Sequence, residues 1–331
     1  MEILGDPYDP NWDAFRWVIP DWVHVWDDRK SWYPYSRTLK WLRLLGMLSE
    51  YDLVVGHAPF AKIATIYHLL HRKPYMLYDA GWIRYLKQNR SGYARARKGY
   101  RDAPLILFTN VDTEPMFEEQ GYVKLAYTPF AIDTEQYSPA KNGNEAQTTM
   151  FFHPARHSWD EKGNDRLITA FARYVKRRPQ TKLTMVEWYQ SPEHLMKSKQ
   201  LVSQLGIEEN VLWVPVMPKN KLIEQYQLST AVFDQFLFGA FGTTAPEAMA
   251  CGKPVVGYMD TQLWTRYHDK PPPVINASTP EEIYNAMVAL EDGEFRHEYS
   301  RRGRDWIMNN CDSVLVASKQ LELYKSVLDE A

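Results

Sequence analysis

From Ser36 onward, Leu39, Leu42, Leu45 and Leu48 recur at helical spacing with Arg37, Lys40 and Arg43 between them, the pattern of an amphipathic helix. The next segment, DLVVGHA, is apolar almost throughout and reads as a strand buried on both faces. A helix from about Lys62 to His71, the strand PYMLYDA, a basic helical stretch from Arg84 to Tyr100, the strand LILFT and a helix containing Phe117 continue the alternation. Apolar strands alternating with helices of this length predict a parallel sheet with both faces covered. The opening, MEILGDPYDPNWDAFRWVIPDW, offers one short strand and then a loop broken by Pro7, Pro10 and Pro20, with no glycine-rich turn after the strand.

Between Leu125 and Thr148 the pattern lapses. Pro129 and Pro139 bracket a polar stretch that reads as a connection between domains. The alternation then restarts with TMFFHPA, a helix from Asp165 to Lys176, KLTMVEW, a helix from Leu195 to Leu205 and VLWVPV. It continues with a helix around Leu222 to Tyr226, AVFDQF, a glycine-bearing loop, the helix PEAMACG and the strand PVVGY, closing on helices from Pro280 to Leu290 and from Asp312 to Leu328. The expected class is α/β, with two Rossmann-like, doubly wound domains facing a cleft. Their expected limits are residues 1–140 for a shortened first domain and 141–310 for the second, with a C-terminal helix over 311–331 returning to the first.

Composition narrows the classes. The chain has 331 residues, 45% of them hydrophobic, which suffices for two buried cores, and a net charge of −2 gives no reason to expect a nucleic-acid partner. Cys251 and Cys311 lie in different predicted elements, and with no signal-peptide pattern at the start they read as reduced thiols of a cytoplasmic protein. No apolar run is long enough to span a bilayer. Trp12, Trp17, Trp22, Trp26, Trp32 and Trp41 crowd the start of the chain. Such rings suit sugar stacking, a membrane interface or plain core packing.

The densest chemical signal runs from Phe236 to Tyr258, FLFGAFGTTAPEAMACGKPVVGY. Gly239 and Gly242 would let the backbone approach a ligand closely, and Thr243 and Thr244 precede a helix whose first N–H groups favour an anion. Thr244 and Glu247 also have the spacing of a capping box, in which the glutamate only returns a bond to the helix start. A second signal is FFHPARHSWDEKGNDRLITAFARY, in which Arg156 and Lys162-Gly163 come after the end of a strand and before a helix. Basic residues at the carboxyl edge of a parallel sheet are placed to hold a diphosphate, although each alone is more often a surface residue than a site.

Together, R-x5-KG-x-D-x-L-I-x-A-F and G-x-x-G-x4-EAMACGKPVV resemble the donor-binding domain of the retaining glycosyltransferases of family four, which have the GT-B architecture. The likeness covers residues 150–325 well and is looser over the N-terminal half, where DLVVGHA, PYMLYDAGWIR and PFAIDTEQYSP carry it. The resemblance implies that Arg156 and Lys162 grip the donor diphosphate, that Glu247 binds the ribose hydroxyls, and that the backbone of Pro215, Val216 and Met217 meets the nucleobase. A histidine that the family keeps near acceptor and sugar falls on Asp79, which becomes the candidate base, with His57 and Arg84 as weaker acceptor-side candidates. The first glutamate of the family's E-x7-E pattern falls on Gly239, and a subgroup that carries Asp-Gln before the glycines makes Asp234 a substitute.

The activity that this resemblance implies is transfer of a hexose from a UDP- or GDP-linked donor to a glycan or lipid-linked acceptor, with retention of configuration. No D-x-D element is present to hold a metal at the diphosphate, so neither metal nor cofactor is expected. The basic helix from Arg37 to Arg43 would suit peripheral contact at the inner membrane surface. Two alternatives stay open at this stage: a sugar-nucleotide epimerase of the same architecture, and a non-catalytic homologue that binds a sugar nucleotide.

Overall fold

A computed structural model of the chain describes residues 2–4, 24–26, 42, 44, 46–57, 61–86, 94–140 and 149–330. Two compact units emerge: Met1–Pro129 with Val316–Ala331, and Phe130–Leu315. In the first, β1 (Glu2–Leu4) pairs in parallel with β2 (His24–Trp26). A four-stranded parallel sheet runs in the order β3 (Val54–His57), β4 (Tyr75–Asp79), β5 (Ile106–Phe108), β6 (Leu125–Tyr127). Helices Ala61–His71, Ile83–Leu86, Ala94–Asp102 and Glu114–Glu119 connect these strands. Met76 and Leu107 pack with Val327 of the last helix, Ser313–Asp329, which contributes to this unit from the far end of the chain.

Three expectations change here. The tripeptide LAY, assigned to the connection, is strand β6; it is half-buried and too short to announce itself by period. The basic stretch from Arg84 is two helices among the described residues rather than one. Leu42 is exposed while Leu44 is fully buried, so the helix turns a different face inward from the one drawn through Leu42. Leu39, Leu45, Arg37, Lys40 and Arg43 lie outside the described residues, as do Trp12, Trp17, Trp22, Trp32 and Trp41.

The second unit is a six-stranded parallel sheet in the order β12-β11-β10-β7-β8-β9. Its strands are β7 (Met150–His153), β8 (Lys182–Val186), β9 (Val211–Val214), β10 (Ala231–Phe233), β11 (Val255–Gly257) and β12 (Ile275–Asn276). The chain builds outward from β7 to β9, then returns to lay β10 on the other side of β7, with Ala231 opposite Phe151. That reversal puts the loops after β7 and β10 at neighbouring strand ends, where α/β sheets form their ligand crevices.

Helix Asn164–Arg177 fixes β7 by burying Leu167, Ile168, Phe171 and Tyr174 against Phe151. The Phe151 ring lies 5.5 Å from that of Tyr174 and 5.0 Å from that of Phe233 on β10. Helix Gly293–Asn310, eighteen residues long, escapes the pattern because of its residues only Gly303, Trp306 and Ile307 are buried. The segment leading into the unit is tied down by an Ile132–Asp312 bridge and by the Thr134 hydroxyl, which donates to Asp312 at 2.6 Å. Phe151→Ala would empty the centre of this core and should lower unfolding free energy by about 3–5 kcal/mol, read from denaturant melts. A loss under about 1 kcal/mol would show that β7 is not the sheet's anchor.

Candidate active site

Strand β7 ends on His153, fully buried and neutral because burial pulls its pKa down to about 4. Its Nδ1 bonds the Phe233 carbonyl at 2.8 Å, and Nε2 accepts from the Asn164 amide at 2.9 Å. Asn164 in turn accepts the Ser158 N–H at 2.8 Å, so one buried side chain pins the loop from Arg156 to Gly163 to the strand end. Gly163 sits at φ +68°, a left-handed turn with Phe236 and Leu237 packed close by, which explains the glycine after Lys162. Arg156 is half-buried and pairs with Glu161. Lys162 lies near enough to His153 and Asp234 for its charge to act on both.

The loop after β10 is held by its own first residues. Gln235, almost fully buried, accepts the N–H groups of Leu237 (3.0 Å) and Phe238 (2.6 Å). Its amide donates to the carbonyls of Phe238, Ala240 and Tyr258. Asp234 takes the backbone N–H of Ala245, while its Oδ2 is buried without a hydrogen-bond partner. Burial raises the Asp234 pKa, and the Lys162 ammonium opposes that rise. The two loops join where Phe236 N–H donates to the Lys162 carbonyl at 3.0 Å, and Arg166 donates to the Phe236 carbonyl at 3.2 Å. The two sequence blocks therefore meet at the reversal between β7 and β10.

Several site expectations are revised by this geometry. The helix starts at Thr244, with the exposed Thr243 as its N-cap and no side-chain cap bond, so the Thr244–Glu247 capping box does not form. Gly239 faces no open space: a Cβ there would lie 2.5 Å from that of Asp260, whose N–H donates to the Gly239 carbonyl at 3.0 Å. A glutamate at this position would collide with Asp260 as it is packed here. Gly242 has nothing within 4 Å and keeps the open approach expected of it.

Glu247 is buried, and three groups hold its carboxylate. Oε1 accepts from Tyr137 (3.1 Å) and Lys219 (2.5 Å), and Oε2 from Tyr226 (3.0 Å). Lys219 is the first residue of helix Lys219–Leu228, shortly after the exposed Pro215 and half-buried Val216 and Met217, so the segment expected at a nucleobase leads to the Glu247 cluster. Sequence reasoning misses Tyr137, Lys219, Tyr226, Asn164 and Gln235. The three that meet Glu247 come from elements remote from it in the chain, while Asn164 and Gln235 act within their own loops, where sequence alone does not show which backbone groups they bond.

In the first unit, Asp79 ends β4 fully buried. Its Oδ1 accepts the Gly81 N–H at 2.5 Å and its Oδ2 accepts Ile83 N–H at 3.0 Å and the Tyr100 hydroxyl at 2.5 Å. Those bonds make Asp79 the clamp of the turn into helix Ile83–Leu86, not a base open to an acceptor. Arg84 is occupied likewise, donating to both Asp112 oxygens at 2.7 and 2.6 Å. His57 ends β3 with its ring 4.6 Å from that of Tyr78.

Residues 135–306, just over half of the chain, match the family model described as glycosyl transferases group 1. The chain belongs to that family. Among curated glycosyl transferases, D-inositol 3-phosphate glycosyltransferase of Acidothermus cellulolyticus is 31% identical over 111 residues, 33% of this chain and 24% of the relative. Its counterpart in Segniliparus rotundus is 30% identical over 132 residues, 39% of this chain and 29% of the relative. The matched stretch thus spans about a quarter of the length of these relatives. Anabaena HepE, solved with UDP, superposes with a TM-score of 0.74 over 92% of this chain and 86% of its own, at 18% identity. Sucrose-phosphate synthase of Thermosynechococcus elongatus gives 0.74 over 100% and 89%, at 15% identity. The fold is therefore that of the GT-B glycosyl transferases, α/β with two parallel-sheet domains.

Gly239→Ala should force Asp260 aside and cost about 1–3 kcal/mol of stability, whereas Gly242→Ala should leave the melt nearly unchanged. Equal melts for the two would contradict the close packing at Gly239. The buried histidines set a pH dependence. His153 and His157, with pKa values lowered to about 4 and about 3, stay neutral in the fold while the unfolded chain protonates below about 6.5. Stability should fall as pH drops from 7 to 5, by about 2 kcal/mol per histidine. His153→Gln should make that fall shallower; an unchanged slope would contradict a neutral buried His153.

Proposed function

We propose that the chain transfers a sugar from a UDP- or GDP-linked donor to a glycan or lipid-linked acceptor, with retention of configuration and without a metal ion. The observation that carries this reading is the joining of the Lys162 turn and the Asp234 loop at the reversal of the sheet, where the Lys162 charge acts on a buried, partly unpartnered Asp234 carboxylate. That HepE has been solved with UDP and with UDP-glucose makes the uridine nucleotide the first donor to try.

Cleavage of the glycosyl–phosphate bond leaves negative charge on the departing diphosphate. Lys162 would stabilise that charge more in the transition state than in the ground state, which is the condition for raising turnover. Arg156 would join by exchanging Glu161 for a phosphate oxygen, a swap between partners of the same charge. Asp234 Oδ2 is the acceptor for a sugar hydroxyl, taking the place of the glutamate that Gly239 excludes. Retention results if the acceptor attacks from the leaving-group side and a phosphate oxygen takes its proton. Such a scheme requires no protein nucleophile.

Calorimetry with UDP and GDP tests the donor site. Lys162→Ala should weaken binding of the preferred nucleotide roughly 10- to 150-fold, the range of one charge-assisted hydrogen bond. It should lower sugar transfer further, by roughly 100- to 1,000-fold, in a panel of glycan and lipid-linked acceptors. Unchanged affinity and turnover in Lys162→Ala would defeat the assignment. An isomerised sugar nucleotide from donor alone would point to epimerisation, and tight nucleotide binding with no turnover would point to a binding protein.

A further inference from the structure

Two phenols and an ammonium group surround the Glu247 carboxylate, and the phenols come from different parts of the chain. Tyr226 belongs to helix Lys219–Leu228. Tyr137 belongs to the segment entering the second unit after Pro129. That segment is fixed along its backbone: Asp133 Oδ1 accepts the N–H groups of Glu135 (3.1 Å) and Gln136 (3.0 Å). Arg304 donates to the carbonyls of Thr134 (3.4 Å) and Tyr137 (3.2 Å), and Gln227 donates to that of Ser138 at 2.7 Å. The Tyr137 ring therefore reaches Glu247 from an anchored backbone, and its hydroxyl, buried beside a carboxylate, has a donor role there.

A carboxylate has about four lone-pair positions, of which Tyr137, Lys219 and Tyr226 fill three. The two phenols act on different oxygens, so the pair fixes the rotation of the carboxylate plane as well as its position. The remaining position lies on Oε2.

We propose that Tyr137 and Tyr226 are positioning residues that orient Glu247 to accept a ribose hydroxyl of the nucleotide, making the connecting segment part of donor recognition. The proposal rests on the reading of Glu247 as the ribose contact. With either phenol gone, Glu247 keeps its charge through Lys219 but loses its fixed orientation. The protein should then distinguish ribose from deoxyribose less sharply.

The test compares UDP, 2′-deoxy-UDP and 3′-deoxy-UDP by calorimetry, or the guanosine series if GDP is the tighter ligand. It is run on the unaltered protein, Tyr137→Phe, Tyr226→Phe and Glu247→Gln, each checked for a cooperative melt. The unaltered protein should bind UDP at least about 10-fold more tightly than one of the deoxy forms, the worth of one hydrogen bond to a charged group. In either tyrosine variant that ratio should shrink at least about 3-fold, through weaker UDP binding with deoxynucleotide affinity unchanged. A variant that weakens all three nucleotides equally, or that keeps the full ratio, overturns the positioning role. The same ratio in Glu247→Gln as in the unaltered protein overturns the ribose reading beneath it. The two tyrosines come from separate elements, so a folded form of either one decides the matter.

Discussion

The parallel pairing of β10 with β7 is the constraint on which the second unit depends. The two strands are far apart in sequence, yet their adjacency makes the loops that leave them neighbours at the same sheet edge. From that adjacency comes the hydrogen bond from Phe236 to the Lys162 carbonyl, and with it the reach of the Lys162 charge to the Asp234 carboxylate, residues that the chain order alone would keep apart. The apolar contacts of Phe151, Phe233 and Tyr174 hold the strands together, so the core and the site share one foundation.

Burial imposes the second constraint. Polar side chains taken from water need partners, and charged ones need counter-charges. His153 meets that demand by staying neutral and passing its bonds through Asn164 to the basic loop. Gln235 meets it by serving several backbone groups at once, giving the glycine-bearing loop a definite shape. Glu247 meets it with Lys219 and two phenols. Each of these side chains is thus held in place by its own bonds, the kind of preorganisation that electrostatic stabilisation requires.

Much of this is legible in the chain. The alternation of apolar strands and amphipathic helices foretells two parallel-sheet units, because a strand covered on both faces has no polar side to show. Lys162 with Gly163 and the block around Glu247 stand out because glycine turns and basic residues at strand ends are local features. The hidden parts depend on distance. Helix Gly293–Asn310 buries too narrow a stripe to show a period, and β6 is three residues long. Asp79 reads as a base in its motif because the motif says nothing of Tyr100 and the turn that occupy the carboxylate. Glu247 has the spacing of a helix cap because spacing counts residues along one helix and cannot see Tyr137 or Lys219 arriving from elsewhere.

A crystal structure of the protein soaked or grown with UDP is the most direct measurement. The expected result places a phosphate oxygen within hydrogen-bond distance of Lys162 Nζ at the joined ends of β7 and β10, with a ribose hydroxyl on Glu247. A nucleotide bound with its diphosphate away from Lys162 would contradict the role given to that sheet edge.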